Sequence, residues 1–194
     1  MKRRIRATRL LLWLSVFAFV SPGFAGQARV PRDSEEARDL KTFSDRVQAY
    51  VKMQKNLEAS LSTLKPTKDA AQIVEHQHAL ARKIADARRD ARQGDIFTHE
   101  VTEQFRKIIR KAFHGPEGRL ARRTIQRETP VKATVLHIND VVPDDMPLTT
   151  MPPTLLGRLP ELPRELVYRI VGHALTLQDA KARLIVDFIP NAIP

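Results

Sequence analysis

One short stretch of the chain gathers imidazole, amide and carboxylate groups. The residues are His137, Asn139, Asp140, Asp144 and Asp145. Paired carboxylates can bind Ca²⁺ or act as a general acid and base. Their spacing matches no known calcium-binding loop, and Asp and Asn beside proline are also the residues that turns use. We therefore interpret the stretch as a turn and keep a hydrolase-like enzyme site near residues 137–145 as the alternative.

Two histidines, His76 and His78, stand close enough in sequence to suggest a metal site. If they lie on a helix they point about 200° apart, so they cannot hold one ion together. His99 and His114 bracket a predicted helix and are too far apart to share a ligand, and His114 suits a helix C-terminus. We expect neither a metal ion nor a cofactor.

Other catalytic patterns are missing from the chain. It has no cysteine, which excludes thiol catalysis and thiolate metal sites. No Gly-x-Ser-x-Gly elbow occurs, and the seven glycines form no phosphate-binding loop. A Ser-His-Asp triad is assembled in space from residues at any sequence spacing, so the sequence pattern does not test for one. No catalytic residue is assigned.

Basic residues form the stronger chemical signal. Positive charge concentrates between residues 82 and 127, with eight cations in the second half of that range. We predict an anion-binding surface from Arg106, Lys107, Arg110, Lys111, Arg119, Arg122, Arg123 and Arg127. The competing interpretation is a solvated helix face, because acid first and base last is also the order that a helix dipole prefers.

The elements that carry these cations are predicted from apolar spacing. Leu40, Phe43, Val47 and Tyr50 begin a stripe at intervals of three and four that continues to Leu64, with Gln54 as its polar interruption. Pro66 ends this helix and Thr67 caps a second one, whose stripe runs from Ile73 to Ala91. The two should form an antiparallel, coiled-coil-like hairpin with Leu57 and Leu61 near Ile73 and Leu80.

Two further helices are predicted downstream. Thr98 is the N-cap of the third, and its apolar sector contains Phe97, Val101, Phe105, Ile108, Ile109, Ala112 and Phe113. A shorter fourth helix covers residues 117–128. Its apolar side is formed by Leu120, Ala121, Thr124 and Ile125.

Beyond residue 129 the pattern changes to extended chain. Seven prolines between residues 130 and 163 exclude a long helix, and Val131 to Ile138 reads as a short strand. Apolar residues then alternate around a turn at Gly172-His173, which predicts a small antiparallel sheet. A helix over residues 174–189 is the rival interpretation.

The N-terminus has the layout of a secretory signal peptide. Five cations precede an apolar run from Leu10 to Val20, and small residues follow at Gly23 and Ala25. The run is too short for a membrane-spanning helix, which needs about 20 residues. Cleavage after Ala25 or Ala28 is expected. Loss of residues 1–25 lowers the net charge from +11 to +6, because those residues carry five cations and no acid.

Several segments resemble a family of uncharacterised exported bacterial proteins. The stretch PLTTMPPTLL from Pro147, then LPELP from Leu159, LVYRIVG from Leu166 and RLIVDFIPNA from Arg183 carry the resemblance, and GDIFT from Gly94 is similar too. It covers most of the mature chain. It implies a bacterial source and an envelope or extracellular location, with no activity to carry over.

Together these patterns predict an α+β protein in five segments. They are the signal peptide (1–25), a flexible lead-in (26–38), a helical region (39–128), a Pro-rich extended segment (129–163) and a C-terminal β region (164–194). We expect a non-enzymatic binding or scaffolding protein of the bacterial envelope, periplasmic or extracellular. The expected partners are anionic polymers, lipid headgroups or another envelope protein. We expect no nucleic acid and, after signal cleavage, no transmembrane segment.

Overall fold

The computed structural model of the chain describes residues 32–62, 64, 67–128, 135–143, 146 and 149–194. Within them, helices precede a three-stranded antiparallel sheet of order β1-β2-β3, so the predicted α+β class is confirmed. The elements are α1 (Arg32–Ala59), α2 (Ala70–Ala87), α3 (His99–Ala112), α4 (Gly115–Glu128), α5 (Pro153–Leu156), β1 (Leu166–Val171), β2 (Ala174–Asp179) and β3 (Ile185–Ile189). The predicted signal peptide, residues 1–25, lies outside the described residues.

Helices α1 and α2 form the predicted antiparallel hairpin. Lys83 Nζ donates to Ser60 Oγ at 3.0 Å, just beyond the end of α1. Further along, the Arg88 guanidinium lies 5.2 Å from the ring centre of Tyr50. Later residues of α2 thus meet earlier residues of α1, as an antiparallel pair requires.

The ends of these helices differ from the prediction. Helix α1 begins at Arg32, inside the segment predicted as a flexible lead-in, because acidic residues in its first turns complement the helix dipole. It also ends at Ala59, before Pro66. The N-cap of α2 is Asp69 rather than Thr67. The Asp69 carboxylate accepts the Ala71 N–H at 2.9 Å, while the Thr67 hydroxyl accepts the Asp69 N–H.

The burial of α2 differs between the two residues that were predicted to pack near Leu57 and Leu61. Leu80 is buried, whereas Ile73 is 37% exposed. The buried part of α2 is its second half, at Leu80, Ala81 and Ile84. Leu57 and Leu61 are half-buried at the rim of the core.

Helix α3 follows the prediction closely. The Thr98 hydroxyl accepts the Val101 N–H at 3.4 Å, so Thr98 is its N-cap. The buried residue Phe105 lies 4.9 Å from Phe43 of α1 and 5.0 Å from Phe97, between ring centres. It also lies 6.1 Å from Tyr168 of β1. One aromatic cluster therefore joins the helices to the sheet.

The C-terminal sheet confirms strands over the rival helix at residues 174–189. Strands β1 and β2 pair around Gly172, whose φ of +57° suits a tight hairpin turn. Leu166, Tyr168 and Ile170 are buried along one face of β1. The alternation of apolar residues was therefore the decisive pattern.

The Pro-rich segment is more structured than predicted. Residues 135–138 form no strand, and residues 131–134 lie outside the described chain. The backbone pairs with the start of β3 and the residues before it at positions 139–142. Asn139 N–H donates to the Ile185 carbonyl at 2.8 Å, and Val142 N–H donates to the Arg183 carbonyl at 2.7 Å. Helix α5 then interrupts the extended chain, because Pro153 is tolerated in a first helical turn.

In the described part of the chain, no helix has both the length and the apolar character that crossing a bilayer demands.

Candidate functional site

The predicted cations of α3 lie on its outer face. Val101, Phe105 and Ile109 point into the core and are fully buried. At about 100° of rotation per residue, Lys107 and Arg110 fall on the side opposite Phe105, and Arg106 lies on the flank between the two sides. Lys107, Arg110 and Lys111 are exposed, whereas Arg106 is half-buried.

Two of these side chains have structural partners. Arg106 Nη2 donates to the Pro190 carbonyl at 3.2 Å, and its Nε lies 3.9 Å from the Glu103 carboxylate. Lys107 Nζ donates to Gln104 Oε1 at 3.2 Å. Arg106 therefore helps to hold the C-terminal tail, and Arg110 and Lys111 remain the freer cations of α3.

A close backbone contact sets the position of α4. Gly118 is buried, and a Cβ at this position would lie 2.3 Å from the Phe113 carbonyl carbon at the end of α3. Only glycine allows this approach. Gly118 and Ile125 therefore form the inner side of α4, and Ile125 is fully buried.

The predicted apolar side of α4 is wrong at Leu120, which is 64% exposed. The contact at Gly118 turns the side of α4 that holds Gly118 and Ile125 inward. Leu120 lies about 140° around the helix axis from Ile125 and therefore faces outward. Its neighbours on the outer side are Arg123 and Arg127, within about 60°. An exposed leucine thus lies beside exposed arginines.

The eight predicted cations are carried by α3 and α4, and seven of them are exposed; we call this set the basic surface. It comprises Arg106, Lys107, Arg110, Lys111, Arg119, Arg122, Arg123 and Arg127. Between residues 106 and 127 the sequence has one acid, Glu117. Among the described residues, Arg106 is the one member that pairs with a carboxylate. The surface can therefore attract anions.

One residue of the alternative enzyme site near residues 137–145, Asn139, forms a structural contact with Arg88. Asn139 has φ +67°, and its side chain is fully engaged with Arg88. Its Oδ1 accepts from Arg88 Nη1 at 3.1 Å, and its Nδ2 donates to the Arg88 carbonyl at 2.9 Å. His137 and Asp140 are exposed, and Asp144 and Asp145 lie outside the described residues.

A groove of about 340 Å³ lies between the outer side of α2 and the segment that contains Asn139 and Val141. It is lined by His78, Ala81, Arg82, Ala85, Asn139 and Val141. No pattern in the sequence had indicated that His78 and Asn139 would line the same groove. This lining contains an imidazole and a guanidinium but no hydroxyl or carboxylate, so it lacks a nucleophile and an acid/base pair.

The histidines form no evident metal centre. His76 is half-buried, and His78, His99 and His114 are exposed. Over the ranges that the structure describes, no three His, Cys, Asp or Glu side chains come together as a metal site would require.

Sequence reasoning missed a buried carboxylate, Asp187. It lies on β3, is 0% exposed, and binds the loop before α3. Its Oδ2 accepts the N–H groups of Ile96 and Phe97, both at 2.8 Å, and its Oδ1 accepts the Gly94 N–H at 3.0 Å. This contact joins the sheet to the start of α3 and fixes Phe97 in the core.

A second missed contact ties α1 to the turn after β2. The Tyr50 hydroxyl donates to Asp179 Oδ2 at 2.9 Å, and Asp179 Oδ1 accepts the Lys181 and Ala182 N–H groups. Burial raises the pKa of Asp179, although these hydrogen bonds act against the rise. Burial also raises the pKa of Tyr50, with the Asp179 charge adding to it, so Tyr50 remains a neutral donor.

The same side of α1 carries one buried amide without a partner. Gln54, the polar interruption in the predicted stripe, is 0% exposed, and its side chain has no hydrogen bond within the described residues. Nearby in sequence, Lys55 lies 3.0 Å from the buried Glu165 carboxylate. The Lys55 hydrogen bond holds the pKa of Glu165 below its usual value. Gln54 and the Glu165 carboxylate are both buried, so neither is available to a substrate at the surface.

Three comparisons with known proteins add no precedent for either candidate site, because no protein-family model, curated protein or solved structure matches this chain.

Proposed function

We propose that this chain is an exported bacterial envelope protein, without catalytic activity, that binds an anionic envelope component through its basic surface. The observation that carries the proposal is the set of exposed arginines on α4, which have no carboxylate partner among the described residues. A concentrated positive field attracts polyanions without a shaped pocket.

Helix stability does not account for these arginines. Arg110 and Lys111 lie in the last turn of α3, where the helix dipole favours cations. Arg119, Arg122 and Arg123 lie in the body of α4, where that effect has faded. Like charges three or four residues apart instead destabilise a helix by about 0.2–0.5 kcal/mol per pair. A cluster of like charges that costs helix stability favours a binding role over a solvated face.

Export is supported by the N-terminal charge, apolar run and small residues, and by the resemblance to exported bacterial proteins. We expect the mature protein to begin at Gly26 or Arg29, since small residues precede both bonds. N-terminal sequencing of the protein recovered from the envelope or medium checks this. A full-length chain retained in the membrane fraction would contradict it.

Charge reversal tests the proposed binding surface. A variant with Arg110, Lys111, Arg122 and Arg123 changed to Glu should lose affinity for soluble polyphosphate and for anionic vesicles by at least about 100-fold. Each cation near an anionic surface contributes about 1 kcal/mol. Binding by the parent should weaken steeply with salt, because ions screen such fields over about 8–10 Å. Co-sedimentation and fluorescence titration measure both effects.

A matched control separates the surface from net charge. Reversal of Lys52, Lys68, Arg82 and Arg158, all exposed, changes the net charge equally but leaves the basic surface intact. This variant should keep most of the affinity, and both variants should keep the parent circular dichroism spectrum. If the parent binds no polyanion, or if both variants lose affinity equally, the basic surface is not a binding site.

The alternative, a hydrolase-like enzyme with a site near residues 137–145, has less support. Asn139 is engaged by Arg88, and the adjoining groove has no nucleophile among its described lining. A scaffold that binds another envelope protein through the basic surface would need an acidic partner. Charge reversal would weaken that protein complex as well.

A further inference from the structure

We propose that the anionic component is the surface of a lipid bilayer and that Leu120 inserts into it beside the arginines of α4. This inference rests on the proposed function, because it concerns the same basic surface. The partner is then a lipid bilayer, and Leu120 makes an apolar contact with it in addition to the charge contacts of the arginines.

The geometry of α4 supplies the first step. Gly118 and Ile125 face inward, which leaves Leu120 64% exposed on the outer side. Arg119, Arg123 and Arg127 form a stripe along the same side, at intervals of four residues. The outer side of α4 is thus a row of guanidinium groups with one leucine at its edge.

Leu120 differs from the other exposed apolar residues. The large apolar side chains exposed in the described chain are Ile73, Val74, Leu120, Val135, Val141 and Leu156. Leu120 is the one among them with two arginines, Arg123 and Arg127, within about 60° of it around its own helix. Its exposure also has a cause in the fold, which is the close approach of Gly118 to Phe113.

Chemical complementarity favours a bilayer over a soluble polymer. Guanidinium groups form paired hydrogen bonds with phosphate oxygens, which both lipid headgroups and phosphate polymers provide. A hydrated polymer offers nothing apolar to an exposed leucine. At a bilayer surface, in contrast, an interfacial helix buries its apolar residues at the boundary of headgroups and acyl chains. Leu120 and the arginines together therefore match the lipid surface.

The first experiment separates lipid from polymer. The signal-cleaved chain is titrated with vesicles of equal parts phosphatidylglycerol and phosphatidylcholine, with vesicles of phosphatidylcholine alone, and with soluble polyphosphate. Leu120→Gln should weaken binding to the anionic vesicles by roughly tenfold, since it removes most of the burial of one leucine. It should leave polyphosphate binding unchanged, and phosphatidylcholine vesicles should bind neither protein.

A second variant reports insertion directly. The single tryptophan of the sequence, Trp13, lies within the signal peptide, so the signal-cleaved chain has none. In Leu120→Trp the new indole should shift its emission to the blue on anionic vesicles and be quenched by brominated acyl chains. The matched control is Leu156→Trp on α5, also exposed at 52% in the parent, which should show neither change.

The outcomes distinguish this inference from the proposed function. If the parent binds polyphosphate but no anionic vesicle, the bilayer inference is overturned and the basic surface remains a polyanion site. The same holds if vesicles bind but Leu120→Gln keeps its affinity and the indole emission does not move. If neither probe binds, both the inference and the proposed function fail.

Discussion

Replacing Asp187 with alanine is expected to destabilise the protein by about 4 kcal/mol or more, a large share of the 5–15 kcal/mol that holds a typical domain. The carboxylate is 0% exposed and accepts N–H groups from Gly94, Ile96 and Phe97, and also from Phe188. Alanine would leave these donors without a partner, several of them in the core. Urea denaturation followed by circular dichroism measures the loss.

Two further substitutions give this prediction its controls. Asp187→Asn keeps one acceptor oxygen, so its cost should fall between those of the parent and the alanine variant. Asp140→Ala removes an exposed carboxylate beside β3 and should change stability by less than about 0.5 kcal/mol. Amide exchange at Ile96 and Phe97 should accelerate in Asp187→Ala. A variant that denatures within about 1 kcal/mol of the parent would show that the loop is held mainly by Phe97 packing.

Features that depend on local chemistry could be predicted from the sequence. The cap of α3 was predictable because Thr98 precedes an apolar sector at helical spacing, and the hydroxyl contacts an N–H three residues away. The β1–β2 hairpin was predictable because residues alternate around Gly172. In both cases the evidence lies within a few residues of the element.

Contacts between distant segments could not be predicted. Asp187 binds Ile96 across 91 positions of the chain, and Arg88 binds Asn139 across 51. A carboxylate within the apolar run of β3 was the available signal, since a buried charge needs partners, but it does not identify them. Prediction of the candidate site had the same limit. The cations were found from composition, whereas the orientation of α4 depends on the contact of Gly118 with the Phe113 backbone.

Loss of the aromatic ring at Phe105 should be nearly as severe as loss of Asp187. This residue is 0% exposed, and its ring lies within 6.1 Å of Phe43, Phe97 and Tyr168, measured between ring centres. Phe105→Ala should cost about 3–5 kcal/mol, because it removes a buried ring and leaves a cavity that the surrounding elements cannot fully close. The free energy of unfolding, from urea denaturation at several temperatures, measures this cost.

The matched control for Phe105→Ala is Phe188→Ala on β3, since Phe188 is half-buried and outside the aromatic cluster. It removes the same atoms with less loss of burial, so its cost should be clearly smaller. Phe105→Leu should recover part of the stability, because leucine fills much of the cavity without restoring the ring contacts. Equal costs for Phe105→Ala and Phe188→Ala would contradict the central role of the cluster. The packing of α3 against α1 and β1 would then depend on the aliphatic residues of the same face of α3. The most buried of these are Val101 and Ile109.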